Sequence, residues 1–125
     1  MSDLEALNQA GIAAEAVRRL NHATLRGGYA WPSDVDAVVA ELHLAAARMD
    51  QALQQARRWL ERAQAGGRVG HDQDANPDAA TTEAARLLDV AATRALALGI
   101  ALEDARSITA HLTGLAPTPE SEPGL

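Results

Sequence analysis

The chain has 125 residues, no cysteine and a formal net charge of -6. It is long enough to bury one core and lacks the thiols that a disulfide framework, a thiolate zinc site or a cysteine nucleophile requires. All 11 basic residues are arginine against 17 acidic ones, which argues against direct nucleic-acid binding, because phosphate contacts draw on clustered Lys and Arg.

Residues 1 to 25 are helical in character. Ser2-x-x-Glu5 has the form of a capping box, and Leu4, Leu7, Ala14, Val17 and Leu20 carry the apolar pattern. Gly11 is placed to break or bend this segment. The amino terminus, "MSDLEALNQAG", has neither the basic region nor the apolar core of a signal peptide, and no window reaches the roughly 18 apolar residues of a membrane span. A soluble, cytoplasmic protein with no membrane partner is expected. Arg26 to Pro32, "RGGYAWP", must turn, which leaves Tyr29 and Trp31 to plug the end of a helical hairpin.

The strongest signal is Ser33 to Ala65. With Val35 at heptad position a, positions a and d are Val35, Val38, Leu42, Ala45, Met49, Ala52, Ala56, Trp59 and Ala63, and Val39, Ala46, Leu53 and Leu60 fall at e. Such a stripe belongs to a bundle helix, expected at about 34–65. Ser33 is its predicted N-cap, Asp34 and Asp36 lie in its first turn, and Gly66-Gly67 ends it. The basic group Arg57, Arg58 and Arg62 near its end compensates the helix dipole.

A second long helix is predicted at about 77–113. Asn76 is its N-cap, Pro77 its first residue and Gly114 its left-handed cap, with Pro117 preventing resumption. Leu87, Leu88, Ala91, Ala95, Leu98, Ala101, Leu102, Ala105, Ile108 and Leu112 form its stripe. Val90, Leu96 and Ile100 lie off it and mark an interaction face, since a helix with apolar residues beyond one face has a second neighbour.

Two long helices joined by about ten residues are antiparallel neighbours. That arrangement brings Asp34 and Asp36 to Arg106, and Arg58 to Glu83. The expected fold is an all-α single domain over residues 1–115: an antiparallel hairpin plus a shorter N-terminal helical segment, in a three-helix or dimeric four-helix-type bundle. The tail 116–125 is acidic and proline-rich, a composition of disorder.

The stretch "HDQDANPDAATTE" places Asp72, Asp74, Asn76, Asp78 and Glu83 at the ligand spacing of a calcium loop. Its sixth position is Pro77 where that loop needs glycine, so the reading that fits better is a connector that runs into a helix. His22, His43, His71 and His111 are scattered, without the spacing of a metal bundle. No serine has an evident His and Asp partner, and the glycine runs lack the Lys-Ser/Thr of a phosphate loop. No catalytic residue, metal or cofactor is therefore expected.

The stretches "NHATL", "GYAWPSDVDAVVAEL", "RRWLE" and "RVGHD" resemble those of small all-helical proteins of high-GC actinobacteria. The likeness spans residues 20 to 113 and implies a helical fold without a site or an activity. In shape the hairpin is also similar to WXG100 secretion substrates. Here neither Trp31 nor Trp59 is followed by glycine at the second position, and no Tyr-x-x-x-Asp/Glu lies near the carboxyl end.

The function expected from these features is a non-enzymatic helical interaction or assembly module, self-associating as a homodimer. Alternatives are a regulatory partner of a nucleic-acid-processing or mobile-element protein, a divalent-ion sensor using the 71–83 loop, and a small-molecule-binding bundle with its pocket at Tyr29, Trp31 and His111.

Overall fold

A computed structural model describes residues 2–116, with the side chains of residues 2 and 3 left out. Among the described residues the chain is all α, with α1 (Ser2–Thr24), α2 (Pro32–Ala65) and α3 (Pro77–Thr109). The tail predicted to be disordered lies almost wholly outside the described residues, as does the Ser2 side chain of the predicted capping box. No described helix is long and apolar enough to cross a membrane.

The expected break at Gly11 does not occur; α1 runs straight through it. A glycine inside a helix costs about 1 kcal/mol relative to alanine, a cost that side-chain pairs within the helix offset. Gln9 donates to Glu5, and Glu15 accepts from both Arg18 and Arg19 at 2.6 and 3.2 Å. The helix ends at Thr24, whose hydroxyl donates back to the Leu20 carbonyl. Gly27 and Gly28 then take φ of 113° and 93°. At Gly28 a Cβ would run into the Ala23 carbonyl, so the turn requires glycine there.

Helix α2 begins at Pro32, two residues before the predicted start at Asp34, and Ser33 is not its cap. Asp34 replaces it by reaching back from the first turn, where its Oδ2 accepts from the Ala30 and Trp31 N–H groups at 2.8 and 3.0 Å. Proline at the first helical position has no N–H to leave unsatisfied. At the other end Gly67, at φ 68°, closes a Schellman motif: its N–H donates to Gln64 O, and the Arg68 N–H donates to Ala63 O. The Arg68 guanidinium lies 5.7 Å from the Trp59 ring centre, a cation–π contact that ties the loop back to the helix.

Helix α3 starts as predicted, with Asn76 Oδ1 accepting from the Asp78 and Ala79 N–H groups and Pro77 at the first position. It ends at Thr109 rather than near 113. The last turn tightens instead of adopting a left-handed cap, with His111 N donating to Ile108 O and Leu112 N to Thr109 O. Gly114 is therefore not the cap expected of it. The ring of Trp31 occupies the place that a Cβ of Gly114 would take.

The chain forms two compact units, one of residues up to Val35 with those from Thr113, the other Asp36–Leu112. The second unit is the antiparallel hairpin of α2 and α3. Asp36 bonds Thr109, a Cβ on Gly99 would lie 3.9 Å from Ala46, and Thr81 bonds Gln64. All three contacts belong to one register without stagger. It follows heptad spacing on both helices, through Asp36, Val39, His43, Ala46, Asp50, Leu53, Arg57, Leu60 and Gln64 on α2 and Thr81, Ala85, Leu88, Ala92, Ala95, Gly99, Leu102, Arg106 and Thr109 on α3. The α3 side is buried at Thr81, Ala85, Ala92, Ala95 and Gly99, all small, which lets the two backbones approach closely. The register sets Leu53 opposite Ala92 and Leu60 opposite Ala85, large against small, with Arg57 opposite Leu88 between them.

Two substitutions in this seam should act in opposite directions. A Cβ on Gly99 would sit 3.8 Å from His43 Nδ1, ordinary contact, so Gly99→Ala should stabilise by about 1 kcal/mol through helix propensity. Ala92 is fully buried, and Ala92→Leu should destabilise by about 1–3 kcal/mol through overpacking. Thermal unfolding followed by circular dichroism should show the first melting above the parent and the second below it.

Candidate interaction surface

The α2 side of the hairpin seam is polar at every seventh residue: Asp36, His43, Asp50, Arg57 and Gln64. Four of the five form a hydrogen bond to another side chain or across to α3. The Asp36 carboxylate accepts from the Thr109 hydroxyl at 2.7 Å and from the Arg106 guanidinium at 3.3 Å through both nitrogens engaged. His43 Nδ1 lies 2.8 Å from the Gly99 carbonyl, which can only accept, so this nitrogen carries the proton. Its Nε2 is 3.6 Å from Glu103, beyond hydrogen-bond range. Arg57 donates to Gln54 and Glu61 along its own helix, and Gln54 donates across to Asp89. Gln64 accepts from Thr81 at 3.3 Å.

Of the expected cross-helix ion pairs, Asp36–Arg106 forms at 3.3 Å. Asp34 is instead spent on its own helix start, and Glu83 is held by Arg86 in its own helix at 2.7 Å rather than by Arg58. Helical neighbours at i and i+3 need less side-chain ordering than a reach across the hairpin. The cross-helix bond from His43 was missed in the sequence. Its signal was the seven-residue recurrence of polar residues one place after the apolar stripe.

The loop with calcium-like spacing is occupied by capping and turn contacts. Asn76 caps α3, both Glu83 oxygens accept from Arg86, and His71 Nδ1 accepts from the Gln73 N–H. Asp74 sits at φ 59°, and Asp72 and Asp78 are exposed. Among the described residues no group of three or more acidic or histidine side chains converges as a metal site. Tyr29 and Trp31 are exposed in the first unit and His111 is exposed in the second. An open cleft near the loop end, lined by Arg57, Glu61, Gln64, Thr81, Arg86 and Asp89, has its arginines answered by Glu61 and Glu83.

The most extensive apolar feature is the predicted α2 stripe itself. Helix α3 packs one residue to its side, so Ala45, Met49, Ala52, Ala56 and Trp59 stay exposed, with Met49 at 49% and Trp59 at 54%. Helix α3 has a matching strip one residue to the same side of its own seam, apolar at Leu87, Ala91, Leu98, Ala101, Ala105 and Ile108 and interrupted by the exposed Arg94. Leu87, Leu98 and Ile108 are about half exposed or more. In an antiparallel pair, positions displaced the same way from the seam lie on the same side of the hairpin. The two strips therefore lie on one face, apolar apart from Arg94. Val90 is half-buried, while Leu96 and Ile100 are exposed on the other flank of α3, with Asp89 and Glu103 beside them.

No protein family, curated protein or solved structure matches the chain.

The Thr109 hydroxyl first, and then the Arg106 guanidinium, hold the Asp36 carboxyl below its ordinary value. A carboxylate depressed in the folded state adds stability that is complete above the unfolded-state value, near 3.9, and is lost as pH falls below it through the folded-state value. Asp36→Asn should therefore lower the melting temperature at neutral pH and flatten the loss of stability below about pH 4. An unchanged acid limb in a melting series would show that Asp36 does not contribute to it.

Proposed function

We propose that the chain is a non-enzymatic helical assembly module that self-associates through a helix face. The observation that carries this reading is the α2 stripe, in which every position from Val38 to Trp59 at heptad spacing is apolar and those from Ala45 to Trp59 are exposed. A contiguous apolar face of that length on a soluble surface marks an interaction site. The hairpin alone buries no large side chain; its buried residues are alanines, Thr81 and Gly99. Met49, Trp59 and Leu98 are about half exposed, so covering Met49 or Leu98 would supply roughly half of the ~1.5–3 kcal/mol that complete burial of such a side chain is worth. The patch of Leu96 and Ile100 on the opposite flank is smaller and bordered by carboxylates.

Light scattering coupled to size exclusion should give a dimer mass at tens of micromolar. Met49→Glu, already exposed in the single chain, should give the monomer mass with its helical signal retained, whereas Leu96→Glu should remain dimeric. A clean monomer for the parent chain would reject self-association, and a monomer from Leu96→Glu alone would move the interface to the other flank.

A further inference from the structure

We infer that the apolar seam of α2 is covered by α2 of a second copy, antiparallel and related by a two-fold axis near Gln51, in a single register fixed by charge. This inference rests on the self-association proposed above and names the partner segment and its alignment.

The seam left open by α3 runs Val38, Leu42, Ala45, Met49, Ala52, Ala56 and Trp59, alternating steps of four and three residues; Val38 and Leu42 are half-buried and the others exposed, and the seam ends before Ala63, which is buried within the hairpin. That spacing is the sequence requirement for a second helix packed lengthwise. It stands one residue before the seam that α3 fills, and it is the more apolar of the two. On its outer edge, again every seventh residue, lie Glu41, Arg48, Gln55 and Arg62. All four are exposed, and none of the three charged ones takes part in an ion pair among the described residues.

The order of these edge residues selects an alignment. A self-paired antiparallel helix can place Glu41 beside Arg62 of the second copy and Arg48 beside Gln55 of the second copy, each contact occurring twice by symmetry. Slipping by one heptad in one direction puts Arg48 beside Arg62 of the second copy, and in the other direction it puts Arg48 beside its own counterpart. Both slips replace an attraction by a like-charge contact. In the charge-matched register Met49 meets Ala52 of the second copy and Leu42 meets Trp59. Ala45 meets Ala56, so the layers flanking the centre are alanine on both sides and allow close approach.

The lack of cysteine in the chain makes the register directly testable. Ala45 and Ala56 are eleven residues apart on one helix, about 16 Å, so cysteines placed there cannot bridge within a chain. The variant Ala45→Cys/Ala56→Cys, oxidised at tens of micromolar, should move to twice the chain mass on a non-reducing gel. The single variant Ala45→Cys, whose two copies lie about 16 Å apart along the pair in this register, should stay at the single-chain mass. If the parent chain scatters as a dimer but the first variant does not cross-link, or cross-links no better than the second, this register is overturned while self-association stands. A ladder of higher masses would overturn the closed two-fold pairing. A parent chain that scatters as a monomer would overturn both readings, with an intramolecular cover as the remaining explanation.

Discussion

The structure depends on a one-residue offset between two heptad seams on α2. The seam through Asp36, His43, Asp50, Arg57 and Gln64 faces α3, and the seam through Leu42, Met49 and Ala56 stands beside it. A single helix can satisfy two neighbours only if its apolar surface is wider than one stripe, and α2 has that width. The hairpin takes the half of this surface that carries polar residues, and four of those five residues bond to α3 or along their own helix. The half without polar groups has no such use for them and remains at the surface.

This division explains the unusual core. Alanine and glycine on α3 let the helices approach closely, and closeness makes the hydrogen bonds from Asp36 to Thr109 and from His43 to the Gly99 carbonyl possible. Such bonds contribute modestly to stability, but they define direction and level, as buried polar pairs do when many apolar alignments would be similar in energy. A core built in this way specifies a register more than it supplies burial. The larger side chains, Met49, Trp59, Leu87, Leu98 and Ile108, lie outside it.

The long helices were legible in the sequence because their punctuation is strong. Asn76-Pro77 starts α3 and Gly66-Gly67 ends α2 as their chemistry dictates. Where the reading failed, a tertiary contact or a competing local bond prevailed. Pro32, with Asp34 reaching back, displaced Ser33 as the start of α2. Gly114 accommodates the Trp31 ring rather than supplying a left-handed turn, and Gly11 lies inside an unbroken helix. The apolar stripe of α2 was found correctly, but periodicity does not tell which neighbour a stripe serves. The polar residues at every seventh place, one step along, held that information.

The central claim is that the Trp59 face of α2 is covered by association and not within the chain. Tryptophan emission reports it most directly, in a Trp31→Phe variant that leaves Trp59 as the sole indole. Across a dilution series from tens of micromolar downward, the emission of Trp59 should begin blue-shifted and protected from acrylamide and move to the exposed, quenchable state. Exposed emission at every concentration, or protected emission that dilution does not change, would contradict the account.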